Sequence, residues 1–273
     1  MSLQLEPERG EKIVILERDR NPNFVQALER GLAVIRTFSR EKPAQTLSEV
    51  AKATGLTRAA ARRFLLTLEE LGYVHYNESD RKFSLRPTVL SLGYAYLSSL
   101  SFTDIAQPHM ETLVEQVHES CSAAVLDGTE IVYVARVPTK RIMAISLALG
   151  SRLPAFATSM GRVLLADLSP AALDNYFCKA ELKPITPNTV CDPERLRTIL
   201  AEVKVQGWAL LDQELEEGLR SIAAPIRDRR GCVIASLNVS THVSRVSKEQ
   251  LLQDFLPLLL QTAQRISKEL PPS

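Results

Sequence analysis

Apolar residues at helical spacing dominate the first part of the chain. Phe24, Ala27, Leu28, Gly31, Leu32, Ile35 and Phe38 predict an amphipathic helix over 24–38, which Pro43 ends. Thr46 then offers a hydroxyl to cap a new helix. Glu49 stands three residues on, completing a capping-box pattern before Val50, and Gly55 closes a helix of about two turns. Thr57 caps a third helix running to Leu71, with Gly72 as its stop. The stretch YVHYNESDRKFSL, 73–85, has two β-prone runs around a polar middle and predicts a hairpin. Three helices followed by a hairpin is the plan of a winged helix-turn-helix.

Past Pro87 the run 88–99 is apolar at helical spacing with few charges, and a further helix is expected over 103–119. The runs CSAAVLDG, EIVYVARV, IMAISLALG, WALLDQEL, IAAPIRD and CVIASLNVS then read as strands. Helical patterns fall between them at 159–168, 170–177 and 193–206, and 248–270 closes the chain. The mixture predicts a second, α+β domain with a largely antiparallel sheet. The expected organisation is an arm over 1–22 ending in Asn-Pro-Asn, a DNA-binding domain over 23–86, a linker helix over 87–102 and a second domain over 103–270.

Composition narrows the function classes. With 273 residues and 45% hydrophobic content the chain can bury two cores. Cys121, Cys178, Cys191 and Cys232 lie far apart, without a C-x-x-C pair or a histidine at ligand spacing, so neither a zinc site nor a disulfide framework is expected. The reading calls for no metal and no cofactor. The amino terminus lacks a signal-peptide pattern and no run is long enough to span a membrane, so a cytoplasmic protein without a membrane partner is expected.

The net charge of +1 says little, because a DNA-binding footprint is local. Over 24–85 there are ten Lys and Arg against seven Asp and Glu. In the helix TRAAARRFLLTLEEL, Ala61, Phe64, Leu65 and Leu68 share one side, while Ala59, Arg63 and Leu66 face away with Arg58 and Arg62 on the flank. Arginines in the first turns oppose the helix dipole by about 0.3–1 kcal/mol unless phosphates or base edges meet them. Ala59 and Ala60 keep that end slim enough for a major groove. Thr46, Thr57, Arg58, Ala59, Ala60, Arg62 and Arg63, with Arg81 and Lys82 at the hairpin tip, are the candidate contacts to double-stranded DNA.

The segments NFVQALERGLAVIRTF, LSEVAKATGLTRAAARRFLLTLEELGYV, GSRLPAFATSMGRVLLA, EEGLRSIAAPIRD and SLNVSTHVSR, in this order over about 23–270, resemble the IclR family of bacterial transcriptional regulators. The stretch LALGSRLPAFATSMGRVLLA and the charged arm are most similar to the subgroup controlling protocatechuate, 4-hydroxybenzoate and β-ketoadipate catabolism. The resemblance implies a winged helix-turn-helix joined through a linker helix to a GAF-like effector domain. It also implies a homodimer through the DNA-binding half, often paired into a tetramer, with RNA polymerase as a further candidate partner. Carried over residue by residue, it implies an effector pocket at Ser159, Met160, Asp212, Ser221, Asn238 and Ser240. Where some relatives have glycine and alanine this chain has Ser159 and Met160, and where some have cysteine it has Ser221.

Chemistry supports such a pocket. A helix opening over 159–162, Gly161 included, presents free N–H groups and a favourable dipole to a carboxylate. Ser221, Asn238 and Ser240 add neutral hydrogen bonds, Met160 and Leu149 apolar contact, and Arg136 either a carboxylate partner or a solvated strand end. The expected function is a regulator of aromatic-acid catabolism genes, controlled by a small organic or aromatic acid and binding palindromic half-sites. Two other classes compete. One is a hydrolase using Ser159 or Cys191 with a histidine, for which no motif supplies the base; the other is a winged-helix module that binds proteins only.

Overall fold

A computed structural model describes residues 22–139 and 147–271, which divide into two compact units between Ser98 and Ser99. The charged arm, apart from Pro22, and most of the strand expected at IMAISLALG lie outside the described residues.

In the first unit, helices α1 (Gln26–Arg36), α2 (Leu47–Thr54) and α3 (Arg58–Glu70) precede the hairpin of β2 (Val74–Asn77) and β3 (Lys82–Leu85). The α2 cap forms in full: the Thr46 hydroxyl accepts from the Glu49 amide while Glu49 Oε2 accepts from Thr46 N at 2.7 Å. The Thr46 amide, and after it the Thr46 hydroxyl, which also donates to Glu49 Oε2 at 2.8 Å, hold the Glu49 carboxyl below its ordinary pKa. Gly55 ends the helix in the left-handed conformation at φ +69°. Val34, Val50, Leu65, Leu68, Val74 and Phe83 form the core, so one face of each element is spent on packing. One strand escaped the sequence reading. Ala44–Thr46 forms β1 and pairs antiparallel with β3, making the hairpin a three-stranded sheet in the order β1-β3-β2. Buried Gln45 fixes it by donating to the Thr37 carbonyl at 2.7 Å. The run past Pro87 is a short 3₁₀ turn, Pro87–Val89, leading into α4 (Leu90–Leu97), none of whose residues is buried.

The second unit begins with α5 (Ser101–Val117) and is built on a sheet of six antiparallel strands in the order β6-β5-β4-β9-β8-β7. These are β4 (Ser120–Asp127), β5 (Glu130–Val137), β6 (Arg152–Pro154), β7 (Ala209–Asp212), β8 (Leu219–Arg227) and β9 (Val233–His242). Side chains alternate between the faces, and both faces are covered. Ala124, Tyr133, Ala209 and Ala223 pack with α6 (Ser159–Ala166), α7 (Pro170–Lys179) and α8 (Pro193–Gln206). The intervening residues, Ile222, Ala224 and Ile226, are buried on the opposite side, where β8 meets the terminal helix. That helix starts as α9 (Lys248–Gln250), widens through a π segment at Leu251–Phe255 and continues as α10 (Leu256–Glu269).

The start of α6 is set by a close approach. The 3₁₀ turn Ala155–Ala157 lies so near that a Cβ on Gly161 would stand 2.0 Å from the Ala155 carbonyl oxygen, so only glycine fits there. The Tyr176 hydroxyl, whose pKa burial pushes up to about 12, accepts from Phe156 N at 3.1 Å and holds the same turn. Among the described residues no helix is long and apolar enough to cross a membrane.

Candidate functional site

Two surfaces carry the candidate chemistry. On α3, Ala61, Leu65 and Leu68 are buried, whereas Arg58, Ala59, Arg62 and Arg63 are exposed. Thr57 caps the helix by accepting from Ala60 N at 3.2 Å, and no acidic residue occupies the first turn. Among the described residues the helix therefore presents a basic amino-terminal end with no acidic partner. Arg81 sits at the hairpin turn with φ +56°.

Two of the expected DNA contacts have partners within the chain. Thr46 gives its amide and its hydroxyl proton to Glu49. Lys82 is the register partner of Thr46 and contributes to holding Glu49 ionised, so part of its charge is already matched.

In the second unit, a cavity of about 610 Å³, its open mouth included, lies between the sheet and the start of α6. Strand register explains its lining. Leu211, Ser221, Ser240 and Ser120 are successive partners in one row across β7, β8, β9 and β4. Two residues along each strand, Asn238, Ser122 and Arg136 form the neighbouring row on the same face. Adjacent strands are about 4.8 Å apart, so a row of three residues spans about 10 Å, a length that suits a small ligand with two polar ends. Ser221 donates to Ser159 at 2.9 Å, Asn238 Nδ2 donates to Ser240 at 2.9 Å, and Asn238 Oδ1 accepts from Ser122 N at 3.2 Å. Tyr133, Leu147, Met160, Leu215 and Leu219 supply apolar wall. Burial pushes the Tyr133 hydroxyl up to about 12, so it stays protonated, a neutral hydroxyl at physiological pH.

The geometry thus brings Arg136, Ser159, Met160, Ser221, Asn238 and Ser240 to one cavity, and it sets three other expected residues apart. Asp212 lies outside the lining because its carboxylate pairs with Arg220 at 2.9 Å. Leu149 is 54% exposed, and Leu147 lines the wall instead. Gly161 is pressed against the 3₁₀ turn, and its amide is taken by the Thr158 hydroxyl at 3.0 Å. Ser120, Ser122, Tyr133 and Glu214 line the cavity although nothing in the sequence reading singled them out. Serines at alternate positions of an otherwise apolar strand were the available signal.

Charge is distributed unevenly around this cavity. Arg162 and Glu214 are both buried and form a bidentate pair, Nη1 to Oε1 at 2.9 Å and Nη2 to Oε2, while Arg162 Nε donates to the Phe156 carbonyl at 3.0 Å. Arg136 reaches only Ser122 Oγ, at 3.5 Å, and has no ion pair among the described residues. It is the lining cation left for an anion. No histidine lines the cavity among the described residues, and Cys191 is half-buried, its thiol pKa raised by burial and then by Glu214. Nothing there activates Ser159 or Cys191 as a nucleophile.

A winged helix-turn-helix with a basic recognition-type helix, followed by a ligand-sized cavity on an antiparallel sheet, defines a ligand-responsive DNA-binding protein. The IclR helix-turn-helix domain matches residues 27–78 and the bacterial transcriptional regulator IclR C-terminal domain matches 94–268. The chain belongs to the IclR family of bacterial transcriptional regulators. It is 46% identical over 251 residues to the Pca regulon regulatory protein of Pseudomonas putida, covering 92% of this chain and 86% of that one. To the p-hydroxybenzoate hydroxylase transcriptional activator of Acinetobacter baylyi it is 36% identical over 255 residues, covering 92% and 93%. An IclR homologue from Microbacterium hydrocarbonoxydans, crystallised with 4-hydroxybenzoate, superposes with a TM-score of 0.78 at 28% identity, covering 89% of this chain and 98% of that one.

The buried pair makes a stability prediction. Glu214→Gln leaves a buried guanidinium without its counter-charge and is expected to cost about 3 kcal/mol or more in urea unfolding. The double change Arg162→Met/Glu214→Leu should recover most of that loss. A single-variant cost under about 1 kcal/mol would show that the pair does not organise the α6 end.

Proposed function

We propose that the chain controls aromatic-acid catabolism genes, binding a palindromic operator as a dimer and a hydroxy- or oxo-substituted carboxylic acid in the cavity of the second unit. The observation that carries this reading is the arrangement of the two polar rows, with the uncompensated Arg136 at one side and the Ser159–Ser221 hydroxyl pair at the other. The acid's carboxylate faces Arg136. The α6 end is the poorer anion site: Thr158 accepts the Gly161 and Arg162 amides, and the Glu214 carboxylate stands beside them. A neutral oxygen of the ligand meets the hydroxyl pair there, and the apolar wall takes the ring or methylene frame. The names of the Pseudomonas and Acinetobacter relatives and the 4-hydroxybenzoate bound by the Microbacterium homologue support this ligand class.

Dimerisation is supported by apolar surface on the first unit. Phe24, Val25, Leu28 and Leu32 of the α1 region and Leu90, Leu92, Tyr94 and Tyr96 at α4 are all at least 45% exposed, large apolar side chains of the kind an interface covers. Coupling between effector and operator is expected at about 1–3 kcal/mol, reciprocal by linkage.

Three outcomes are expected. Arg62→Ala or Arg63→Ala weakens operator binding and lowers the slope of log affinity against log salt by about 1, with effector binding intact; an unchanged slope would remove α3 as the DNA-contacting helix. Leu90→Asp combined with Tyr94→Asp dissociates the dimer in sedimentation velocity, and an intact dimer would place the interface elsewhere. Arg136→Gln weakens the acid by about tenfold or more in calorimetry while operator affinity without effector is unchanged. The wild-type ligand comes from a thermal-shift panel of protocatechuate, 4-hydroxybenzoate, β-ketoadipate, cis,cis-muconate and glyoxylate; a flat response to every acid would overturn the effector assignment.

A further inference from the structure

One wall of the cavity is held by residues that do not line it. Glu214 and Leu215 belong to the turn between β7 and β8, and Leu219 is the first residue of β8; the turn holds two left-handed residues, Gln213 at φ +61° and Gly218 at φ +84°. A left-handed conformation at Gln213 is unfavourable by itself and persists only where surrounding bonds impose it. Some of these bonds are internal, since Gln213 N donates to the Leu219 carbonyl at 2.8 Å and Gly218 N donates to Gln213 Oε1 at 3.1 Å. Others come from outside the turn, from the irregular stretch between α7 and α8.

Thr186 Oγ1 donates to the Gln213 carbonyl at 2.7 Å, Thr189 Oγ1 to the Glu214 carbonyl at 2.6 Å, and Val190 N to Glu214 Oε2 at 3.0 Å. The stretch is itself folded for this task. Thr189 Oγ1 accepts from Ile185 N at 3.1 Å and Thr186 N at 2.8 Å, so one hydroxyl closes its own turn and ties that turn to the cavity wall. Thr186 is buried and Thr189 half-buried, and neither touches the cavity.

We infer that Thr186 and Thr189 are positioning residues for effector binding: they fix the Glu214–Leu219 wall from outside, so a stretch without effector contact sets effector affinity. This rests on the cavity being the effector site. Each hydroxyl bond to a carbonyl carries about a fivefold effect when its loss is felt only in the closed wall. The two bonds act on consecutive carbonyls of one turn, so their losses are expected to be non-additive.

The test uses the full-length protein, titrated calorimetrically with 4-hydroxybenzoate and with protocatechuate. Thr189→Val and, separately, Thr186→Val are expected to weaken binding about fivefold, through faster dissociation, with operator affinity in the absence of acid unchanged. Thr189→Ser, which keeps the donor and acceptor, should restore wild-type binding. That rescue separates positioning by the hydroxyl from a loss of packing, because serine keeps the hydroxyl and loses the methyl group, whereas valine keeps the methyl group and loses the hydroxyl. Wild-type affinity in both valine variants, with Arg136→Gln still weakened, would overturn the latch and leave the effector site standing. Equal weakening by serine and valine at 189 would also overturn it. Failure of wild-type protein to bind either acid, or an Arg136→Gln variant that binds like wild type, would instead reject the underlying pocket reading.

Discussion

Burying the Arg162 guanidinium commits the second unit to supplying a partner for it, and much of the cavity's shape follows from that commitment. Arg162 lies on the first turn of α6, where it also bonds the Phe156 carbonyl of the preceding 3₁₀ turn. Its carboxylate partner, Glu214, comes from the connection between β7 and β8. A bidentate pair has little angular freedom, so it fixes the helix start relative to the sheet edge. Gly161 serves the same constraint, because any side chain there would push α6 off the turn that Arg162 binds. An ion pair of this kind adds little net stability against an apolar replacement. Its consequence for function is positional.

The same pair decides which charge in the cavity remains available. With Arg162 neutralised by Glu214, and Asp212 turned away to Arg220, Arg136 is the lining cation without a counter-ion among the described residues. The hydroxyl and amide groups of Ser120, Ser122, Ser221, Asn238 and Ser240 bond one another or the backbone only in part, which suits groups that exchange partners when a ligand enters. Polar side chains on the inner face of a sheet that is elsewhere alanine, valine and leucine are a cost to folding. They are understandable as the surface of a site.

How far the chain reveals this depends on whether the signal is local. The helices of the first unit were legible from their caps, since Thr46, Glu49, Gly55 and Thr57 act on backbone groups three or four residues away. β1 was not, because Ala-Gln-Thr has neither length nor alternation and becomes a strand only when β3 lies beside it. The π segment at Leu251–Phe255 has no local mark either. In the second unit Ser221, Asn238 and Ser240 were nameable from family resemblance, but the serines opposite them on β4 needed the register. Asp212 and Glu214 show the limit most plainly. Both are acids in D-Q-E-L-E-E-G, and only the fold says that one faces Arg220 at the sheet edge while the other lines the cavity, paired with Arg162.

The two units solve their charge problems in opposite ways. Around the cavity, Glu214 is paired with Arg162, so that among the described residues Arg136 is the lining cation without an ion pair. On α3 the arginines are left unmatched in water, at the end of the helix where the dipole already disfavours a cation. A buried counter-ion would relieve that repulsion but would also block the groove-facing surface. Glu49 shows what this looks like one helix earlier, where the carboxylate caps the amino terminus of α2. The contrast between an acid-capped α2 and an acid-free α3, eleven residues apart at their starts, leaves the amino-terminal end of α3 basic and exposed, while Ala61, Leu65 and Leu68 on its other face keep it in place against the core.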